Sequence, residues 1–224
     1  MNSKLKVWLQ AARLRTLPLS LSGIIVGNGL AFSNSNFSWM IFILSLLTTI
    51  SFQVLSNFAN DYGDGVKGTD NDLRIGPPRV LQQGLLTRKE LKQGIQVCVF
   101  ISLILAASLI FLAFGISNQL YSLIFIGLAL GAVIAAIKYT VGSNAYGYRA
   151  LGDLFVLTFF GGVSVLGSLF LQTKLFTVEL ILPAISIGLL SVGVLNLNNM
   201  RDIKTDKESN KITMAVLLGA RYAK

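Results

Sequence analysis

Long apolar runs alternate with short polar segments along this chain, and the runs have the length of bilayer-crossing helices. Six stretches, at residues 17–33, 39–59, 95–115, 119–137, 152–171 and 177–197, approach the roughly 20 residues that a helix needs to cross a hydrocarbon core. The first is diluted by Ser20, Ser22, Gly23, Gly27, Asn28 and Gly29. Small residues of this kind suit tight helix–helix contact, so it reads as a buried span. A seventh helix begins near the end, at Met-Ala-Val-Leu-Leu-Gly-Ala-Arg (214–221). The longest polar insertion, residues 60–94, holds Gly-Pro-Pro at 76–78. It also predicts a short amphipathic helix from Thr87, with Glu90 in capping-box position. The expected fold class is all-α, a multi-span transmembrane helical bundle.

Composition agrees. Hydrophobic residues make up 53% and charged residues 13%, against the roughly 25% charged that soluble domains carry. The basic N-terminus does not read as a signal peptide, because no small-residue cleavage site precedes the next span. The single cysteine, Cys98, can form no internal disulfide and reads as a small core hydrophobe. Histidine is absent, which removes the usual neutral-pH base and the usual ligand of zinc or haem. Any metal would be a hard cation held by oxygen.

The charges sort by side. Of the 19 Lys and Arg, only Lys174 falls in the connections after the first, third and fifth spans. The positive-inside rule then puts the N-terminus and the other basic segments in the cytoplasm. The net charge of +9 is topology and attraction to the membrane surface, and no nucleic acid is implied.

Two polar clusters sit on that same side. In Asn-Phe-Ala-Asn-Asp-Tyr-Gly-Asp-Gly-Val-Lys-Gly-Thr-Asp (57–70), a continuing helix would put Asn57, Asn60, Asp61 and Asp64 on one face. Like charges there repel unless a cation neutralises them, and carboxylates with an amide carbonyl suit magnesium. Gly63, Gly65 and Gly68 would let the chain bend after Asp64 and bring Asp70 back. In the second cluster, residues 196–208, Asn198, Asp202 and Asp206 recur every fourth position beside Arg201 and Lys204. Facing clusters would hold two or more Mg2+, and the ligand that fits best is a diphosphate. Lys138, Tyr139 and Thr140, then Tyr146, Tyr148, Arg149 and Asp153, close the fourth span and open the fifth. They suit either phosphate and aromatic-acceptor binding or plain interfacial anchoring. Arg13 and Arg15 read as topological, and Arg79, Gln82 and Gln83 as part of a lid. Two other classes compete. A CDP-alcohol phosphotransferase would gather its acids in one segment, and a cation transporter would carry them near the bilayer midplane.

Asn-Asp-Tyr-Gly-Asp-Gly-Val-Lys-Gly-Thr-Asp (60–70) and Arg-Asp-Ile-Lys-Thr-Asp (201–206) resemble the paired aspartate motifs of UbiA-type intramembrane prenyltransferases. Arg-Leu-Arg-Thr-Leu-Pro-Leu (13–19), Arg-Ile-Gly-Pro-Pro-Arg (74–79), Tyr-Thr-Val-Gly (139–142) and residues 146–154 and 195–202 extend the match to the family's 1,4-dihydroxy-2-naphthoate branch. The resemblance implies a helical bundle around a cavity open sideways to lipid, in a bacterial cytoplasmic (inner) membrane. There, Mg2+ binds a polyprenyl diphosphate, the allylic C–O bond ionises, and an aromatic acceptor, dihydroxynaphthoate or a ubiquinone-type ring, is alkylated. Asn60, Asp64, Asp202 and Asp206, joined by Asp70, carry over as the metal set, with Asp61 and Asp70 also implied as supporting acids. Asp61, Asp64, Asp202, Lys138 and Tyr139 are the implied catalytic group. Lys67, Arg79, Tyr146, Arg149 and Arg201 are implied to bind diphosphate or acceptor. The broader family has an acid where this chain has Gly68. It also carries about nine spans, so residues 1–224 read as a single prenyltransferase domain, incomplete at the C-terminus.

Overall fold

The computed structural model describes residues 3–32, 37–71 and 75–224. Arg74 and most of the connection at 33–38 therefore lie outside the described residues. Helix α1 (Ser3–Ala12) ends at Arg13, and a 3-10 turn (Leu14–Thr16) leads into α2 (Leu17–Ala31), with Pro18 in its first turn. Then come α3 (Trp39–Lys67), α4 (Arg88–Phe114), α5 (Gln119–Lys138), α6 (Gly152–Thr173) and α7 (Val178–Arg201). Two short helices, α8 (Ile203–Glu208) and α9 (Met214–Tyr222), complete the order.

Helices α3 to α7 are each long and apolar enough to cross a membrane, and the protein is an all-α membrane bundle. Six spans were expected from the sequence. The difference is α2, whose 15 residues rise only about 22 Å against a hydrocarbon thickness near 30 Å. Its glycines explain its place. Cβ atoms on Gly23 and Gly27 would run into Ser164 and Ser168 of α6, so the two backbones meet closely. The partner surface is unusual, because α6 winds as a π-helix over Leu157–Gly167. On the other side of that segment, a Cβ at Gly161 would lie 2.8 Å from Gly188 Cα of α7.

Two other boundaries move. The amphipathic helix expected from Thr87 does not end separately but continues as α4, with Thr87 and Glu90 forming the capping box. Helix α3 passes through Gly63 and Gly65 without bending. Only Gly68 turns the chain, at φ 75°, where left-handed backbone favours glycine. The acidic end of the bundle is closed by a core of Phe58, Val80, Leu86 and Leu91, with Ala11 and Ala12 and with Trp8 and Cys98 against it. At the opposite end, Gln172 Nε2 donates to Asn28 Oδ1 and to the Ser38 carbonyl, both at 2.9 Å. Ser38 N–H returns a bond to Gln172 Oε1 at 2.9 Å, which ties α2, α3 and α6 together.

Candidate active site

The first cluster occupies the last turns of α3, where unbroken helix holds Asn57, Asn60, Asp61 and Asp64 in the expected register. Asn57 acts as a fastener. Its Nδ2 donates to the Ala12 carbonyl at 2.8 Å and to Thr16 Oγ1 at 3.1 Å, holding the turn between α1 and α2 against α3. That turn presents Arg13, whose left-handed backbone (φ 48°) is uncommon for a residue with a side chain. The Arg13 guanidinium bonds the carboxylate of Asp61, which is 1% exposed. Arg79, delivered by the Pro77–Pro78 loop, lies 3.6 Å from the same Asp61 oxygen and 3.8 Å from Asp70. Arg13 is thus an internal ion-pair partner and not only a topological charge.

Asp64 is held by a relay. Tyr148 donates its phenol to Asp64 Oδ1 at 2.7 Å. Its single proton is then used, so the 2.6 Å contact with Thr69 Oγ1 has Thr69 as donor. The single Thr140 Oγ1 proton is shared between the Ala59 carbonyl at 3.0 Å and Asn60 Oδ1 at 3.3 Å, a bifurcated bond. Gly63 makes this possible, since a Cβ there would sit 2.7 Å from the Thr140 backbone.

The second cluster sits on a broken helix. Helix α7 stops at Arg201, Asp202 adopts φ −94°, ψ 10°, and α8 resumes the winding. Asp206 N–H still donates to the Asp202 carbonyl at 2.8 Å, so the two acids stay one turn apart. Arg201 forks onto Asp202 at 2.8 and 2.6 Å. Among the described residues, Asp206 Oδ2 is buried without a hydrogen-bond partner. Burial, opposed by Lys211 and reinforced by Asp202 and Asp64, lifts the Asp206 carboxyl to about 6.

Lys211 joins the clusters: its Nζ lies 3.6 Å from Asp206 Oδ1 and 3.8 Å from Asp64 Oδ2. Burial pulls its ammonium down, but the carboxylates of Asp64 and Asp206 outweigh it and hold Lys211 charged, above its ordinary value. Sequence reasoning missed Lys211, and it placed Tyr148 only among residues suited to acceptor binding or anchoring, not as a partner of Asp64. A signal existed for the first: a lone basic residue just past a Ser-Asn turn, five positions after Asp206.

These groups form one end of a cavity of about 630 Å³. Arg13, Arg15, Asn60, Asp64, Arg79, Arg201, Asp202 and Lys211 line its polar end, and Phe52, Leu109, Ile110, Leu128, Phe159 and Val163 its body. An aromatic wall joins the two. Tyr139 meets Tyr146 edge-on at 5.3 Å, Tyr146 stacks on Phe155 at 3.9 Å, and Phe159 lies nearly parallel beyond, at 6.3 Å. Burial raises the Tyr139 phenol to about 12, so it stays neutral. A second cavity of about 310 Å³ shares Arg13, Arg15, Pro77 and Arg79 with the first. Asp61 stands in its wall.

Of the remaining sequence-derived site residues, Asp70 and Asp206 stand behind the cavity lining. Lys67 lies 3.8 Å above the Tyr148 ring. Lys138 is exposed, and so is Arg149, which bonds Asn144 at 2.6 Å. Neither lines either cavity.

Asn60, Asp64, Asp202 and Asp206 offer hard oxygen donors at this end, suited to a hard cation. Among the described residues no three acidic side chains converge on one point. The protein's own basic groups stand between them instead. A bare Asp206 oxygen facing Asp64 across a single ammonium fits a divalent ion that takes few protein oxygens and leaves positions for water or phosphate.

The fold is a membrane bundle with acidic and basic side chains at one end of a largely apolar cavity. The sequence pattern of the UbiA prenyltransferase family matches residues 20–224, and the chain belongs to that family. It is similar to the 1,4-dihydroxy-2-naphthoate octaprenyltransferase of Haemophilus influenzae, 48% identical over 221 residues, covering 98% of this chain and 71% of that protein. The protein of the same description from Escherichia coli is 44% identical, covering 97% of this chain and 70% of its own length. That from Mycobacterium tuberculosis is 36% identical, covering 95% and 70%.

Proposed function

We propose that this protein transfers a polyprenyl group from a polyprenyl diphosphate to 1,4-dihydroxy-2-naphthoate, with loss of diphosphate and carbon dioxide, in menaquinone biosynthesis. The observation that carries the reading is the junction of a charged end and an apolar cavity of about 630 Å³, with an aromatic wall between them. A prenyl diphosphate has the same division. Its chain belongs in the apolar body, where burial stabilises it by roughly 0.8 kcal/mol per CH2. The names of the similar proteins from Haemophilus influenzae and Escherichia coli support the acceptor.

In this reading Asn60 and Asp64 on one side, and Asp202 and Asp206 on the other, hold Mg2+, with Asp70 behind them. The bound metal supplies positive charge for the departing diphosphate. Arg79 and Arg201 add charge at the cavity's end, where it opposes the negative charge left on the leaving oxygen. The allylic C–O bond breaks with its electron pair on the diphosphate, and Tyr139, Tyr146 and Phe155 offer π-faces to the allylic cation. The ring carbon bearing the carboxylate then bonds to the allylic carbon. Carbon dioxide leaves, returning the pair of its C–C bond to the ring. The bias of basic residues supports a cytoplasmic active site in the inner membrane.

The test is prenyl transfer by native membranes supplied with magnesium, polyprenyl diphosphate and dihydroxynaphthoate, comparing wild type with Asp64→Ala and Asp202→Ala. Both substitutions should abolish product. Unchanged transfer by both would remove the site.

A further inference from the structure

The carboxylates of the two clusters meet basic side chains, but the pairings differ in kind. Arg13 and Arg79 serve Asp61 and Asp70 within the first cluster, and Arg201 serves Asp202 within the second. Lys211 alone, among the described residues, stands between clusters. Its distances of 3.8 Å to Asp64 and 3.6 Å to Asp206 are both too long for a seated hydrogen bond. The ammonium is centred between two carboxylates rather than committed to one.

This placement is built by the backbone. Lys211 N–H donates to the Asp206 carbonyl at 2.8 Å, and Asn210 takes left-handed backbone (φ 53°) to reverse the chain. The next residue, Ile212, accepts from Ala150 N–H at 2.7 Å, pinning the segment to the loop that carries Tyr148. Thr213 then caps α9. On its other side Lys211 lines the large cavity. Lys211 is the cation that stands between the two buried carboxylates, and among the described residues Asp206 Oδ2 still has no hydrogen-bond donor.

We propose that Lys211 is the resident counter-ion of the metal site: it keeps Asp64 and Asp206 facing each other in the metal-free protein and is displaced into the cavity when a divalent ion enters between them. This rests on the metal-dependent reading given above. Without a cation the two acids repel across the join between α3 and α8. With Lys211 they stay aligned, and a doubly charged ion attracts them more strongly than one ammonium does. A lysine can yield in this way because its flexible stem carries the charge a few ångströms without moving backbone.

Lys211 is therefore a positioning residue, and its signature is metal affinity rather than turnover. Full-length protein purified in detergent would be titrated with Mn2+, read by its paramagnetic resonance signal, with no prenyl substrate present. Lys211→Met should bind Mn2+ at least tenfold more tightly than wild type, because the competing charge is gone. Its metal-free form should melt lower and gain more from saturating Mn2+ than wild type does. Lys211→Arg retains a charge and forks onto carboxylates, so it should bind Mn2+ no more tightly than wild type. It also serves as the second measurement should the methionine variant fold poorly. Equal or weaker Mn2+ affinity in Lys211→Met, or tighter affinity in Lys211→Arg, overturns the role of Lys211 alone. Absence of Mn2+ binding in every form overturns the metal reading, and this proposal with it.

Discussion

The two acidic clusters contain similar residues but are held in opposite ways. The first rides on an uninterrupted helix, and Asp61 is buried between Arg13 and Arg79 while Tyr148 clamps Asp64. The second follows a helix break, takes its one fork from the adjacent Arg201, and leaves an Asp206 oxygen without a hydrogen bond. Breaking a fully buried pair strands a charge, whereas a pair with one partly exposed member costs less to lose. The first cluster is therefore part of what folds the bundle. In the second, Asp206 is buried against Lys211, and only the Arg201–Asp202 fork reaches solvent.

That contrast can be broken experimentally. The largest effect is expected from Asp64→Ala, on the order of 10³-fold in kcat/KM for prenyl transfer, with Asp202→Ala of similar size. The next separates the clusters. Asp61→Asn leaves Arg13 and Arg79 without their shared carboxylate and should destabilise the detergent-solubilised protein by ~3–5 kcal/mol. Asp202→Asn should lower its melting stability by less, ~1–2 kcal/mol, since Asp202 is buried but the Arg201 side chain is 35% exposed. Comparable losses in the two variants would erase the distinction. Gly63→Ala, which drives a methyl into the Thr140 backbone, should cost ~1–3 kcal/mol and disturb Asn60. Tyr148→Phe removes the hydrogen bonds to Asp64 and from Thr69 and should slow transfer by about tenfold while lowering melting stability by ~1–3 kcal/mol. The smallest effect is in pH. Asp206 must be ionised to bind metal, and its carboxyl sits at about 6 in the metal-free protein, above the ordinary carboxylate range. Divalent-ion affinity, measured by the Mn2+ titration, should be flat above that value and fall by up to roughly tenfold per pH unit below it.

Much of this was legible in the sequence where a single periodicity governed. Helices α3 to α7 follow from uninterrupted apolar length, and the register of Asn60 and Asp64 from helical spacing alone. What escaped depends on contacts between distant segments. Arg13 looked topological because its partner Asp61 lies 48 residues away. Lys211 is invisible to helical spacing because a left-handed Asn210 and a single bridge to the 149–150 loop deliver it. Lys138 and Arg149 are near the motifs in sequence, but the turn at 139–151 leaves both exposed. The short reach of α2 was obscured because hydropathy reports apolarity, whereas glycine contacts with α6 fix how that helix is used.

The π-helical stretch of α6 also sets an angular phase. It separates Phe155, at the aromatic wall, from Gln172, which ties the far end of the bundle to Asn28 and Ser38. Deleting one residue from Leu157–Gly167 would rotate everything beyond it by about 100° relative to Phe155. One end of α6 could then keep its partners only if the other gave them up. The wide winding is the gear that lets a single helix mesh with two differently phased neighbours, and its length should tolerate substitution far better than deletion.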